Sequence, residues 1–194
     1  MSSEVVLYLK EGYDGAGQKS ADAAADAPLS PSHALLARAA ALYTGRTPEE
    51  FGLPALSARG KPYYPDCPAL FFSISHSGTL WACAMAATEV GLDIQEPRKQ
   101  DAARIARRFF HPLEQAYLEH RGMDAFFRVW AAKESFCKFR GTGIDGSFSQ
   151  FSVTDGERLL AQTDGVSLTH FLTREGYAAC LASQEEARIV IRYL

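Results

Sequence analysis

The segment 126–138 constrains the fold of this chain more than any other stretch. Its residues favour a helix, and Gly141 and Gly143 just after it are typical of a helix end. Apolar side chains cover much of the circumference of this helix, so it must be buried against other elements. They are Phe126, Phe127, Val129, Trp130, Ala131, Ala132 and Phe136. Glu134 is then expected at the boundary of the core, where a carboxylate needs a cation to offset its loss of water.

Other segments carry strand or helix patterns. Apolar runs predict strands over residues 5–9, 70–74, 80–86 and 89–94, with 75–79 as the hairpin connection between the second and the third. Helical spacing and helix-start residues predict helices over 33–43 and 101–110, a short helix from Thr47-Pro48 and another from His111-Pro112. Residues 12–32 are rich in Gly, Ala, Asp, Ser and Pro, which predicts a loop.

A short internal repeat predicts two related halves. Residues 78–86 (GTLWACAMA) are echoed by residues 176–182 (GYAACLA). We therefore expect an α+β fold of two pseudo-equivalent halves, residues 1–90 and 91–194, each with a small antiparallel sheet packed with helices. Clefts form where such halves meet, so the active site is expected at their junction, with the metal and catalytic residues in the second half.

Two carboxylates carry the strongest chemical signal. Asp93 ends an apolar run, while Glu134 and Lys138 are four residues apart and share one helix face. Taken singly, Asp93 is an ordinary turn cap, and Glu134 with Lys138 is an ordinary surface ion pair. Together they suit Mg²⁺, which takes one or two protein carboxylates and completes its shell with water and phosphate oxygens. Gln95 faces the same side of the strand as Asp93, and its amide oxygen or a water is expected to fill a further position.

Basic residues near these carboxylates are candidate phosphate contacts. Lys133 and Lys138 lie on the same helix as Glu134 and are expected to act as point charges. His76 in a turn and Lys61 beside Arg59 are weaker candidates, each with an ordinary structural alternative. The sequence of residues 141–146 matches GxGxxG, but it follows a helix rather than a strand, so it predicts a helix stop and not a dinucleotide site.

A basic run follows Asp93. It consists of Arg98, Lys99, Arg104, Arg107 and Arg108. The common explanation for such a run is a solvated helix face. The functional alternative is a docking surface for an acidic protein, which long-range electrostatic attraction would steer into place.

The composition excludes several classes of protein. The formal net charge of −3 gives no nucleic-acid signature, and no apolar run is long enough to span a bilayer. The apolar run 5–9 is too short for a signal peptide. With 194 residues and 47% hydrophobic content, the chain can bury the core of one domain or two small halves. Four widely spaced cysteines without a CxxC pair favour a reduced, cytoplasmic setting.

Three motifs in this order resemble the 4′-phosphopantetheinyl transferases of the surfactin type (Sfp-like). They are Ile74-Ser75-His76-Ser77, Gly91-Leu92-Asp93-Ile94 and Trp130-Ala131-Ala132-Lys133-Glu134-Ser135-Phe136-Cys137-Lys138. With Arg59-Gly60-Lys61-Pro62 and the segment 107–110, the resemblance extends over residues 59–143.

The resemblance implies a monomer that binds coenzyme A in the cleft between its halves. Such an enzyme, a holo-acyl-carrier-protein synthase, uses magnesium to move the phosphopantetheine arm to a serine of an apo acyl or peptidyl carrier protein, releasing 3′,5′-ADP. The resemblance further implies that Asp93 and Glu134 are magnesium ligands, with Gln95 or a water beside them. It also implies that Glu134 is the base for the carrier serine. Lys133 and Lys138 would contact the pyrophosphate, and His76, Lys61 and Arg59 would hold the phosphates of coenzyme A. Lys133 and His76 would also join Glu134 as catalytic residues.

Two departures from the family pattern leave alternatives open. Many members carry glutamate where this chain has Gln95, and the short first half offers only Arg38 and Arg46 for the 3′-phosphate of the nucleotide. A non-catalytic module that binds coenzyme A or a carrier protein on the same fold is therefore the first rival. A magnesium-dependent phosphotransfer enzyme acting on a nucleotide is the second.

Overall fold

The structure is a computed structural model that describes residues 3–15, 30–98, 101–173 and 176–194. Its strands are β1 Ser3–Glu11, β2 Ala55–Leu56, β3 Pro62–Tyr63, β4 Phe71–Ser77, β5 Leu80–Ala86, β6 Val90–Gln95, β7 Gln162–Thr163, β8 Val166–Leu172, β9 Ala178–Ser183 and β10 Ala187–Tyr193. Its α-helices are α1 Pro31–Thr44, α2 Ala102–Phe109, α3 Pro112–Arg121 and α4 Phe126–Arg140, with short 3₁₀ turns at Pro48–Glu50 and Met123–Ala125. None of the described helices is both long and apolar enough to cross a bilayer.

Two four-stranded sheets organise the described residues. The first has the order β10-β1-β5-β4 and the second β6-β9-β8-β7, while β2 and β3 form a small separate pair. The two echoed segments of the sequence contain β5 and β9, and each of these is a fully buried inner strand of its own sheet. The predicted α+β class with two small sheets is confirmed.

Two details differ from the sequence predictions. The predicted connection 75–79 is wrong in extent, because residues 75–77 continue β4 and pair with β5, which leaves only Gly78 and Thr79 in the turn. The first sheet is also not wholly antiparallel, since the last strand β10 returns to pair in parallel with β1. The division of the chain at residue 90 remains a prediction, and β10 crosses it.

A row of serine side chains joins the two sheets. Ser73, Ser75 and Ser77 alternate along β4 and accept hydrogen bonds from the backbone N–H groups of Leu92 (2.9 Å), Ile94 (3.2 Å) and Glu96 (3.0 Å), respectively. β6 is an edge strand of its sheet, so its outer N–H groups would otherwise lack partners in this interior position. We call this contact the serine ladder. It fixes the register of β6, and therefore of Asp93, against the first sheet.

Helix α4 lies against β6 and β9, and Gly91 permits the close approach. A Cβ atom at Gly91 would stand 2.0 Å from the carbonyl oxygen of Ser135 and 2.4 Å from the backbone nitrogen of Phe139. Only a residue without a side chain fits there. The helix ends as predicted at Gly141, whose φ of +66° is the left-handed conformation of a helix cap. This crossing brings the polar face of α4 over the end of β6.

Candidate active site

Asp93 is buried at the junction of the sheets and has a full set of partners. Its side chain is 2% exposed. Oδ1 accepts hydrogen bonds from Ser75 Oγ at 2.8 Å and from Lys138 Nζ at 2.7 Å. Oδ2 accepts from Gln95 Nε2 at 2.7 Å. A buried carboxylate with a cation and two neutral donors is held in a fixed orientation.

Glu134 lies across from Asp93 on α4 and is held less firmly. Its Oε1 accepts a hydrogen bond from Trp130 Nε1, one helical turn earlier, at 2.8 Å. Burial raises the pKa of Glu134 above its ordinary value, and the negative charge of Asp93 raises it further, against the opposing influence of Lys138 and Trp130. Two carboxylates that repel each other across one cavity form a set that a cation would stabilise.

These residues line one cleft of about 540 Å³ between the sheets. Its walls are formed by Ile74, Ser75, His76, Ser77, Gly78, Asp93, Gln95, Arg98, Ile105, Phe126, Trp130, Glu134 and Lys138. The structure thus brings together the predicted Asp93, Glu134, Gln95, Lys138 and His76. His76 remains largely accessible to solvent. Partial loss of water around its ring, and then the charge of Lys138, lower its pKa against the opposing charge of Asp93, which favours the neutral imidazole.

The donor set suits a hard divalent cation with an incomplete protein shell. Among the described residues, no group of three or more His, Cys, Asp or Glu side chains converges as a ready metal cage. Two carboxylates and the amide of Gln95 are nevertheless what Mg²⁺ needs when phosphate and water supply the remaining oxygens. The chemistry of these residues is therefore compatible with Mg²⁺, for which Asp93 and Glu134 would be the protein ligands.

Lys133 is not in the cleft, contrary to the sequence prediction. Its side chain is fully buried on a different face of α4, where Nζ donates to Glu114 Oε1 at 2.9 Å and to the carbonyl oxygen of Phe151 at 2.8 Å. The ammonium also lies 4.0 Å from the centroid of the Phe151 ring. Lys133 and Glu134 are adjacent in sequence, and adjacent helical residues project about 100° apart. In this structure Lys133 is a core residue, with no route to a phosphate.

Lys61 is likewise engaged elsewhere. Its Nζ pairs with Glu89 and donates to the carbonyl oxygens of Val90 and Lys138, both at 2.8 Å. It therefore joins the β2–β3 region to the start of β6 and to the end of α4. Arg59 is exposed and lines a smaller groove of about 230 Å³ beside the cleft. That groove shares Ile74 and Lys138 with the cleft.

The predicted basic run is divided by the structure. Arg104, Arg107 and Arg108 are exposed on α2, whereas Arg98 lines the cleft itself. Lys99 lies outside the described residues. Arg38 on α1 and Arg46 just after it are exposed, and neither lines the cleft.

Sequence reasoning missed three partners of the site. Ser75 and Trp130 orient the two carboxylates, and Glu114 holds Lys133 away from them. The alternation of Ser73, Ser75 and Ser77 was a usable signal, because a period of two places these hydroxyls on one face of a strand. The spacing of Trp130 and Glu134 by four residues was another. No local pattern pairs Glu114 with Lys133.

Comparisons with known proteins agree on one family. The sequence model of the 4′-phosphopantetheinyl transferase superfamily matches residues 89–191. A 4′-phosphopantetheinyl transferase of Bacillus subtilis is 39% identical over 113 residues, which are 55% of this chain and 50% of that protein. The 4′-phosphopantetheinyl transferase Sfp of Bacillus subtilis strain 168 is 37% identical over 135 residues, 63% of this chain and 60% of that protein. The enzyme psf-1 of Bacillus pumilus is 37% identical over 112 residues, 54% of this chain and 48% of that protein. The chain therefore spans about half the length of the curated relatives that it matches.

Proposed function

Because the chain belongs to the 4′-phosphopantetheinyl transferase superfamily, we propose that it transfers the 4′-phosphopantetheine arm of coenzyme A to a serine of an apo carrier protein. The observation that carries this proposal is the pair Asp93 and Glu134, which come from two different elements and line one cleft. The alternative, a non-catalytic module on the same fold, would not require two carboxylates that face each other.

The reaction exchanges a phosphoanhydride bond of coenzyme A for a phosphodiester bond to the carrier serine. The serine hydroxyl oxygen of the carrier bonds to the β-phosphorus of coenzyme A, and the bond from that phosphorus to the bridging oxygen breaks, so 3′,5′-ADP leaves. Such transfer depends on alignment and charge neutralisation more than on covalent help from the protein. When bound, Mg²⁺ would supply that neutralisation at the phosphoryl oxygens.

The protein side chains have separate tasks in this proposal. Asp93 and Glu134 hold the cation, with the Gln95 amide or a water beside them. Lys138 donates to Asp93 Oδ1 and lines the cleft, where its ammonium group meets a phosphate of the ligand as well. Glu134 accepts the proton of the carrier serine as the general base. His76 contacts phosphate oxygens from the β4 wall.

The carrier protein is proposed to dock on α2. Arg104, Arg107 and Arg108 are exposed there, and α2 also supplies Ile105 to the wall of the cleft. A carrier with an acidic helix would be attracted to this surface and would present its serine at the mouth of the cleft. Acyl and peptidyl carriers both meet this requirement.

Mass spectrometry of an apo acyl carrier protein, incubated with this protein, coenzyme A and Mg²⁺, tests the proposal. A gain of about 340 Da, one phosphopantetheine arm, is expected, and EDTA should abolish it. Asp93→Asn should also abolish it, while Asp124→Asn, an exposed carboxylate on a 3₁₀ turn, should not. No gain on either an acyl or a peptidyl carrier, with coenzyme A still bound, would favour the non-catalytic module.

A further inference from the structure

The cleft has few cations for a ligand as anionic as the diphosphate of a coenzyme. Two of its described lining residues are carboxylates, Asp93 and Glu134, and two are cations, Lys138 and Arg98. Lys133 and Lys61 add no charge to the cleft, because the ammonium group of each already donates hydrogen bonds to partners outside it. His76 favours its neutral form. A diphosphate entering this cleft therefore meets a site without net positive charge of its own.

The two cations of the cleft differ in what they can offer to a ligand. Lys138 already donates to Asp93 Oδ1 at 2.7 Å. Arg98 is exposed, and no hydrogen bond or ion pair to any described residue engages its guanidinium. A guanidinium presents five N–H donors in a planar fork that matches the oxygens of a phosphate.

The position of Arg98 favours the diphosphate over a more distant part of the ligand. It lies three residues after the end of β6, the strand that carries Asp93 and Gln95 at the floor of the same cleft. The serine ladder fixes the end of this strand through the bond from Glu96 N to Ser77 Oγ at 3.0 Å. The backbone two residues before Arg98 is thus anchored, and among the described residues the Arg98 side chain has no partner that would hold it away from a ligand.

We propose that Arg98 binds the diphosphate of coenzyme A directly, as a substrate-binding residue of the cleft and not as part of the carrier-docking surface. This inference rests on the proposed function. Arg98 supplies a bidentate contact to the diphosphate, for which the sequence predicted only the point charges of Lys133 and Lys138, and it does so before any carrier protein is present.

The test measures coenzyme binding by isothermal titration calorimetry in the presence of EDTA, without a carrier protein. Arg98→Gln should weaken binding of coenzyme A about tenfold, since a charge-assisted bidentate contact is lost. Dephospho-coenzyme A keeps the diphosphate but lacks the 3′-phosphate, and its affinity for the Arg98→Gln variant should fall by the same factor. Arg188→Gln, on the far edge strand β10, is the matched control and should bind both ligands like the wild type.

Each outcome decides the inference. A loss seen with coenzyme A but absent with dephospho-coenzyme A would overturn it, because Arg98 would then hold the 3′-phosphate. Unchanged binding of both ligands would overturn it too, and a raised KM for the carrier in the same variant would return Arg98 to the docking surface. Failure of the wild-type protein to bind coenzyme A even with Mg²⁺ supplied in place of EDTA would instead contradict the proposed function. Circular dichroism of Arg98→Gln confirms that the variant is folded.

Discussion

In the absence of a cation, the surroundings of Glu134 disfavour the ionised form of its carboxyl group. Burial and the charge of Asp93 raise its pKa. A carboxyl group with a raised pKa in the folded state favours folding in its protonated form. That contribution is complete below the unfolded-state pKa and is lost as the pH rises through the folded-state pKa. Ionised Glu134 therefore destabilises the metal-free protein at neutral pH.

We expect Glu134→Gln to raise the thermal unfolding midpoint of the metal-free protein at neutral pH. Glutamine keeps an oxygen for the Trp130 bond and removes the charge. The gain should shrink at mildly acidic pH, where the wild-type carboxyl is itself protonated. Thermal unfolding in EDTA across this pH range measures the effect, with the exposed Glu157→Gln as control. The same variant should lose phosphopantetheine transfer. An unchanged unfolding midpoint at neutral pH would contradict the conclusion that ionised Glu134 destabilises the metal-free protein.

Lys133 illustrates where local sequence stops being informative. Its neighbour Glu134 and its place on α4 both favoured a site residue. Its partner Glu114 is 19 residues earlier, and Glu114 Oε1 also accepts a hydrogen bond from the backbone of Val153 at 3.0 Å. Which of two adjacent polar residues points into the core depends on how α3 and the segment near residue 151 pack on α4. A helical wheel of α4 alone does not contain that contact.

We expect Lys133→Met to lower the free energy of unfolding by about 3–5 kcal/mol, because it leaves the Glu114 carboxylate buried without its cation. The double variant Glu114→Gln with Lys133→Met should recover part of this loss, since the remaining amide is neutral and can still accept from Val153. Urea unfolding measures both. A stable Lys133→Met protein that fails to bind coenzyme A would restore the phosphate role that the sequence suggested.

At the scale of elements, the serine ladder connects stability with the geometry of the site. Ser73 and Ser75 make the same bond to β6, but only Ser75 also donates to Asp93. Both Ser73→Ala and Ser75→Ala should destabilise the protein by about 1–3 kcal/mol, the penalty for a buried N–H group without a partner.

The pair of variants separates the two roles of the ladder. Ser75→Ala should in addition weaken Mg²⁺ binding and transfer, because Asp93 loses one of the donors that orient it. Ser73→Ala should leave both near the wild-type level. Unfolding curves and metal titrations of the two proteins give the comparison. An equal loss of Mg²⁺ affinity in the two variants would mean that the serine ladder affects the site only by setting the distance between the two sheets.

The elements themselves differed in how far sequence could predict them. Helix α4 and strands β1, β5 and β6 follow from apolar pattern and end signals that lie within each segment. The extension of β4 through residues 75–77 did not, because Ser75, His76 and Ser77 resemble a turn until their pairing with β5 is known. The parallel return of β10 to β1 involves residues more than 180 positions apart, such as Ser3 and Ala187. Only the assembled sheet reveals it.

At the scale of the whole molecule, the candidate site depends on both sheets at once. One apolar core contains residues of β1 and β5 from the first sheet and of β6 and β9 from the second. The serine ladder and β10 add two more connections between the halves. The sequence predicted a site at this junction from two carboxylates on separate elements, and the comparisons support the family from residue 89 onward. The shared core explains why the two halves would have to fold together for the cleft to exist.

We therefore expect a single cooperative unfolding transition, which the two tryptophans can test. Trp81 is buried in β5 of the first sheet, and Trp130 lies on α4 above the second. Trp81→Phe leaves a fluorescent reporter in the second half, and Trp130→Phe leaves one in the first. Within each variant, the fluorescence and far-ultraviolet circular dichroism curves in urea should have the same midpoint. A reporter that unfolds at a different urea concentration from the backbone of the same variant would mean that the halves fold independently, and that the cleft is an interface between two domains instead of part of one core.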